Sequence, residues 1–169
     1  RIAVNVAYPQ LSNERLESDI VGILKDTGLD PDALELEITE TMLMGNAAQL
    51  MHSLQRLRQV GIYLSIDDFG TGYSSLAYLK RLPVDSVKVD RSFIKDLPND
   101  PDDVAITRAV LALLHSLKRN VVAEGVENRE QMQFLVDHHC DEGQGFYFSA
   151  AIPGDSFGDL LGDEMRVVQ

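Results

Sequence analysis

Acidic and amide side chains recur along this chain at positions suited to holding cations. Asn5 closes the first β-branched run, Glu37 lies near the end of the second with Glu40 just past it, and Asp67-Asp68 close the third. Lys88 and Asp90 end the fourth, Glu124 ends the fifth with Glu127 following, and Gln144 stands just before the last apolar segment. One acid at a strand end is ordinarily a helix cap or a solvated loop residue. Recurrence at every strand end is different, because carboxylates gathered in one place repel each other unless cations neutralise them. Oxygen donors of this kind suit magnesium or manganese rather than zinc. Such a site can activate water and shield phosphoryl oxygens. A lysine among the acids adds a positive charge, and its structural alternative is a salt bridge to Asp90 or another strand-end acid.

These residues need elements that converge, and the sequence supplies them as alternating strands and helices. Strands are expected at Ile2–Val6, Leu34–Ile38, Ile62–Ile66, Val84–Val89 and Val121–Ala123, with a short last one at Phe146–Phe148. Helices are expected from Asn13 to Thr27, stopped by Gly28, and from a cap at Asn46 to Gly61 with Leu50, Leu54, Leu57 and Val60 on one face. Further helices are expected at Ser74–Lys80, Val104–Lys118 and Asn128–His138, with a weak one at Phe157–Leu161. Pro98 to Asp103 reads as a polar loop. This alternation implies about six parallel βα units in one domain. A closed (β/α)8 barrel needs eight units and typically about 250 residues, so a barrel would be incomplete here. An open doubly wound sheet is the alternative. In a barrel the C-terminal strand ends meet at one mouth, where the polar residues would collect.

The chain has 169 residues, 44% of them hydrophobic and 25% charged, as in ordinary globular proteins. The net charge is −12, which repels a phosphate backbone and argues against general nucleic-acid binding. A small phosphate ligand remains compatible, through bound cations. The single cysteine, Cys140, excludes an intrachain disulfide framework or cysteine-rich zinc site. No apolar stretch is long enough to span a membrane. His138 and His139 read as a helix C-terminus rather than a metal site, and His52 and His115 as helix residues.

Asp67 to Leu76, DDFGTGYSSL, stands apart. Two adjacent acids at a strand end can face neighbouring metals, Gly70 and Gly72 allow positive φ and close backbone approach to a ligand, and Gly70-Thr71-Gly72 alone is a weak phosphate-loop signal. Asp-Phe-Gly also occurs in protein kinases, but no glycine-rich ATP loop or His-Arg-Asp motif precedes it here.

In order with ELEITE at 35–40, VKVDRSFI at 87–94, AEGVE at 123–127 and GQGFYFS at 143–149, this segment resembles the EAL-domain family of cyclic-di-GMP phosphodiesterases. The resemblance runs from Ala3 to Ser149, and residues 1–162 would be a partial EAL domain followed by a tail at 163–169. It implies a modified (β/α)8 TIM-type barrel, incomplete in this chain, and metal-dependent hydrolysis of cyclic-di-GMP to linear pGpG. It implies two magnesium or manganese ions per complete site. Asn5, Glu37, Asp67, Asp68 and Glu124 correspond to metal ligands, with Asp67 bridging. Glu124 also corresponds to the general base, and Lys88 to the lysine that holds the attacking water or neutralises charge. Glu40 corresponds to the residue that steadies the loop from Asp68 to Leu76. Glu127, Gln144, Asp90, Gly70, Thr71 and Gly72 would support substrate or loop.

A signalling protein that is cytoplasmic, or at the cytoplasmic face of the membrane if the parent carries an upstream anchor, and a fused sensor or GGDEF domain outside this chain are expected with the same resemblance, and the apolar helix from Val104 adds a homodimer contact as an alternative to barrel packing. Two other functions stay open beside the enzyme, a receptor that binds cyclic-di-GMP without cleaving it and a protein-interaction scaffold. The Glu-Ala-Leu motif itself is absent and is expected upstream of Arg1, with one further metal ligand. Ala7, the His138-His139 pair before Cys140, and Ala150-Ala151 depart from the usual pattern, but none removes a proposed ligand.

Overall fold

The computed structural model describes residues 1–44, 47–72, 76–154 and 156–158. Six parallel strands form its sheet: β1 (Ile2–Asn5), β2 (Leu34–Thr39), β3 (Tyr63–Phe69), β4 (Ser86–Val89), β5 (Asn120–Glu124) and β6 (Glu142–Gln144). Each strand pairs with its sequence neighbour, in the order β1-β2-β3-β4-β5-β6. A doubly wound sheet reverses its strand order at a switch point. No reversal occurs here, so the fold is an incomplete (β/α)8-type barrel wall, and the doubly wound alternative is set aside.

The helices are α1 (Tyr8–Leu11), α2 (Leu16–Thr27), α3 (Ala47–Val60), α4 (Leu76–Leu79), α5 (Pro101–Ser116) and α6 (Arg129–Asp137). Gly28 ends α2 in the left-handed conformation, as its sequence position suggested. The expected helix from Asn13 begins instead at Leu16, and an unexpected short turn, α1, precedes it with Pro9 in its first turn. α5 begins three residues before the expected Val104. Asp100 accepts from the amides of Asp102 and Asp103, and Pro101 follows it, so half of the expected polar loop is the first turn of a helix. The last strand is Glu142–Gln144, not Phe146–Phe148. That aromatic run lies outside the sheet, with Phe146 71% exposed. Asn46, the start of the Ser74 helix, and the tail 163–169 lie outside the described residues, as does most of the expected Phe157–Leu161 helix.

The core lies between the sheet and its helices. Leu36 and Ile38 of β2, Leu64 and Ile66 of β3, Val87 of β4 and Val121 of β5 are buried there with Leu54, Leu57, Leu111 and Leu114 of α3 and α5. β1 is an open edge with Ile2 and Val4 exposed, beside a mostly apolar groove of about 710 Å³ between β1 and α2. None of the described helices is long and apolar enough to cross a membrane.

Candidate metal site

Side chains alternate between sheet faces, so register decides which residues meet. Asn5 pairs with Glu37, and Glu37 with Ser65, which places Asp67 two residues further on the same face. Ser65 pairs with Ser86, and Lys88 lies two residues beyond it. Lys88 pairs with Val122, two residues before Glu124, and Glu124 pairs with Gln144. Asn5, Glu37, Asp67, Lys88, Glu124 and Gln144 therefore share the face opposite the helix-packed core.

Strict alternation would send Asp68 to the other face. The β3–β4 register shifts between Ile66 and Phe69, and Asp68 has φ +55°. A bulge re-aims a side chain, and Asp tolerates the left-handed region better than most residues. Carboxylate oxygens of Asp67, Asp68 and Glu124 consequently lie within 4.8 Å of one another. Neither the bulge nor the positive φ is visible in the sequence, although the pair of acids is.

Lys88 sits at the centre, 5% exposed. Its Nζ is 2.8 Å from Glu37 Oε1, 2.7 Å from Glu124 Oε1 and 3.1 Å from Asp67 Oδ1. Burial alone would lower the ammonium's proton affinity, but hydrogen bonds to Glu124 and Glu37 outweigh it and hold Lys88 charged. Burial raises the Glu124 carboxyl above its usual range, with Lys88 opposing the shift. Asp68 is also raised, by desolvation and then by the like charge of Asp67. The structural alternative for Lys88, a salt bridge to Asp90 or another strand-end acid, is met by Glu37, Asp67 and Glu124 and not by Asp90. Asp90 Oδ1 instead accepts from Ser92 N at 2.9 Å and caps the 3-10 turn Arg91–Phe93.

Asp67 Oδ1 is buried without a hydrogen bond, and its approach to Lys88 is electrostatic only. A buried carboxylate oxygen that makes no hydrogen bond, beside two other carboxylates, matches the donor set of a hard divalent cation. The residues present fit a metal.

Glu40 fixes the loop that follows. Its Oε2 accepts from Gly70 N at 2.7 Å and Gly72 N at 3.3 Å. Thr71 Oγ1 donates to Asp68 O, closing the turn. On the other side the Phe93 ring lies so close that a Cβ on Gly70 would meet it at 2.2 Å, and Gly70 has φ +104°. Phe93 was not singled out from the sequence, where an aromatic after a strand carries no special signal.

Glu127 pairs with Arg91 at 3.4 Å, and with Gln144, Gly145 and Phe146 they line an open cavity of about 440 Å³ next to the cluster. His138 ends α6, with Nδ1 2.7 Å from Phe134 O and its ring stacked on Phe134. His115 pairs with Asp141 at 2.9 Å.

A family model described as EAL domain matches residues 1–151. Among curated proteins, the chain is 49% identical over 153 residues to the cyclic di-GMP phosphodiesterase NbdA of Pseudomonas aeruginosa, covering 90% of this chain and 20% of NbdA. Among solved structures, the PaMucR phosphodiesterase in complex with c-di-GMP superposes with TM-score 0.88 at 42% identity, over 93% of this chain and 64% of that one. Klebsiella pneumoniae BlrP1 in a calcium and cyclic-di-GMP complex gives TM-score 0.83 at 34% identity, over 89% of this chain and 38% of BlrP1. The chain thus corresponds to a part of each of these proteins. Its ordered strand-end acids, barrel wall and sequence together show that it belongs to the EAL domain family.

Proposed function

We propose that this chain forms the metal-binding wall of a cyclic-di-GMP phosphodiesterase that yields linear pGpG. The observation that carries this reading is the cluster of Asp67, Asp68 and Glu124, with one buried Asp67 oxygen that makes no hydrogen bond and has only the Lys88 ammonium beside it. Relatives named as phosphodiesterases, and a structural neighbour holding calcium with cyclic-di-GMP, support it.

Asp67, Asp68 and Glu124 would hold two magnesium or manganese ions, with Glu37 and Asn5 beside them. Bound ions of this kind supply charge neutralisation and acidify water at neutral pH. The chain's own residues do the rest. Glu124, with proton affinity raised by burial, takes a proton from the attacking water. Water oxygen forms the new P–O bond, one P–O3′ ester bond breaks, and the 3′ oxygen takes a proton from solvent while Glu124 returns its own to solvent. Lys88 offers positive charge to the phosphoryl oxygens. Glu40 keeps the Gly70–Gly72 backbone, and so Asp68, in place. Glu127, Gln144 and Arg91 line the adjacent cavity, where part of the dinucleotide fits. The parent protein is expected to be cytoplasmic, dimeric and fused to sensor or GGDEF domains.

The test is chromatography of cyclic-di-GMP incubated with the full-length protein and manganese. Linear dinucleotide that disappears with EDTA supports the enzyme. Tight binding with no product would make it a receptor.

A further inference from the structure

Lys88 is the densest ionic contact among the described residues, and it occupies the place where the carboxylates of three strands meet. It stands on β4 and reaches Glu37 on β2, Asp67 on β3 and Glu124 on β5, all within 3.1 Å of one nitrogen. An ammonium has three donors and no acceptor. Two are spent on Glu37 and Glu124, and the third lies off axis beside Asp67 Oδ1. In this arrangement Lys88 has little left to offer a water or a phosphate. Without it, carboxylates on neighbouring strands would face each other with no counter-charge, which buried sites tolerate poorly.

A divalent cation at Asp67, Asp68 and Glu124 competes for two of the same carboxylates. It also places like charge within a few ångströms of the ammonium, and like charges so close repel strongly in a buried setting. The lysine stem is a flexible four-carbon chain that lets its head group move while its root stays buried.

We propose that Lys88 is an exchangeable counter-ion: it holds Glu37, Asp67 and Glu124 together in the metal-free protein and yields carboxylates to the incoming cations. The exchange frees its ammonium to face the phosphoryl group. Metal loading and the arming of Lys88 are then one event, and the lysine lowers metal affinity as its cost. This inference rests on the metal-dependent reading above.

The experiment uses full-length protein, with Lys88→Met as an uncharged variant of similar length. Melting is followed in EDTA, and manganese affinity by calorimetry. The variant is expected to melt lower in EDTA and to bind manganese roughly tenfold more tightly, about one factor of ten for each 1.4 kcal/mol of repulsion removed. A second readout needs no variant. Amine acetylation of wild-type protein, read by mass spectrometry, is expected to modify Lys88 several-fold faster once manganese is saturating, with the exposed Lys95 as internal standard. That footprint decides the matter if Lys88→Met does not fold in EDTA. Manganese binding that is unchanged or weaker in the variant, with Lys88 equally protected in both states, overturns the exchange while leaving the metal site standing. Wild-type protein that binds no manganese overturns both.

Discussion

Glu124 has Lys88 on one side and Asp67 with Asp68 on the other, so among the described residues its charge is balanced only by that lysine until cations arrive. Replacing Glu124 with Gln keeps the shape and removes the base. The expected loss in turnover is about 10²–10⁴-fold, the usual worth of a positioned acid or base, read by product formation at saturating manganese. Glu40 makes a different demand, because its carboxylate accepts two loop amides while buried. Glu40→Ala leaves both amides without that acceptor and is expected to cost about 1–3 kcal/mol by denaturant titration, along with most of the manganese affinity. Cys140 supplies a pH signature away from the site. Burial pushes its thiol up to about 11. A raised folded value means the contribution is fully present below the unfolded pKa of about 8.5 and is lost as pH rises through the folded one. The stability difference between wild type and Cys140→Ala should therefore shrink between those limits. A difference that grows with pH would contradict the half-buried thiol. At this scale the sequence revealed the identities of the acids but not their directions. Asp68 enters the cluster only through a bulge and a positive φ, and Lys88 bridges strands far apart in the chain, neither of which local patterning encodes.

At the scale of elements, the strands were legible because their β-branched runs end at turn residues, and four of six fell within two residues of the expected bounds, while β3 runs three residues past the expected Ile66, through the acids to Phe69. The sixth was misplaced for a physical reason. Glu142-Gly143-Gln144 pairs through its backbone at a sheet edge and needs no apolar side chains, whereas Phe146–Phe148 looks like a strand but lies beyond it. The turn between them depends on Gly145, whose φ is +156° and whose Cβ would meet the Val126 backbone at 2.2 Å. Gly145→Ala is expected to destabilise by about 1–3 kcal/mol and to disturb the neighbouring Glu127 and Gln144, seen as a lower melting temperature and weaker cyclic-di-GMP binding. The start of α5 could have been read from Asp100-Pro101, a capping residue followed by proline at the first helical position. Asp100→Ala should cost about 1 kcal/mol in a thermal melt without altering metal binding.

At the scale of the whole molecule, sequential parallel pairing was legible from the strand–helix alternation, whereas the choice of a barrel wall over a doubly wound sheet was not legible from that alternation and came from the ordered motifs that resemble the EAL domain. Both have the same local pattern, and only the strand order separates them. The open edge of β1 and the apolar groove beside α2 leave backbone groups and aliphatic surface uncovered. The 169-residue chain by itself is expected to associate or melt without cooperativity, as read by light scattering and calorimetry. A clean monomer with a reversible, cooperative melt would show that the edge is tolerated.

The central claim is that the strand-end acids of this wall hold the metals, and anomalous diffraction from manganese-soaked crystals of the full-length protein tests it most directly. Anomalous peaks bounded by Asp67, Asp68 and Glu124 are the expected result. Peaks elsewhere, or none at that cluster with manganese saturating, would contradict it.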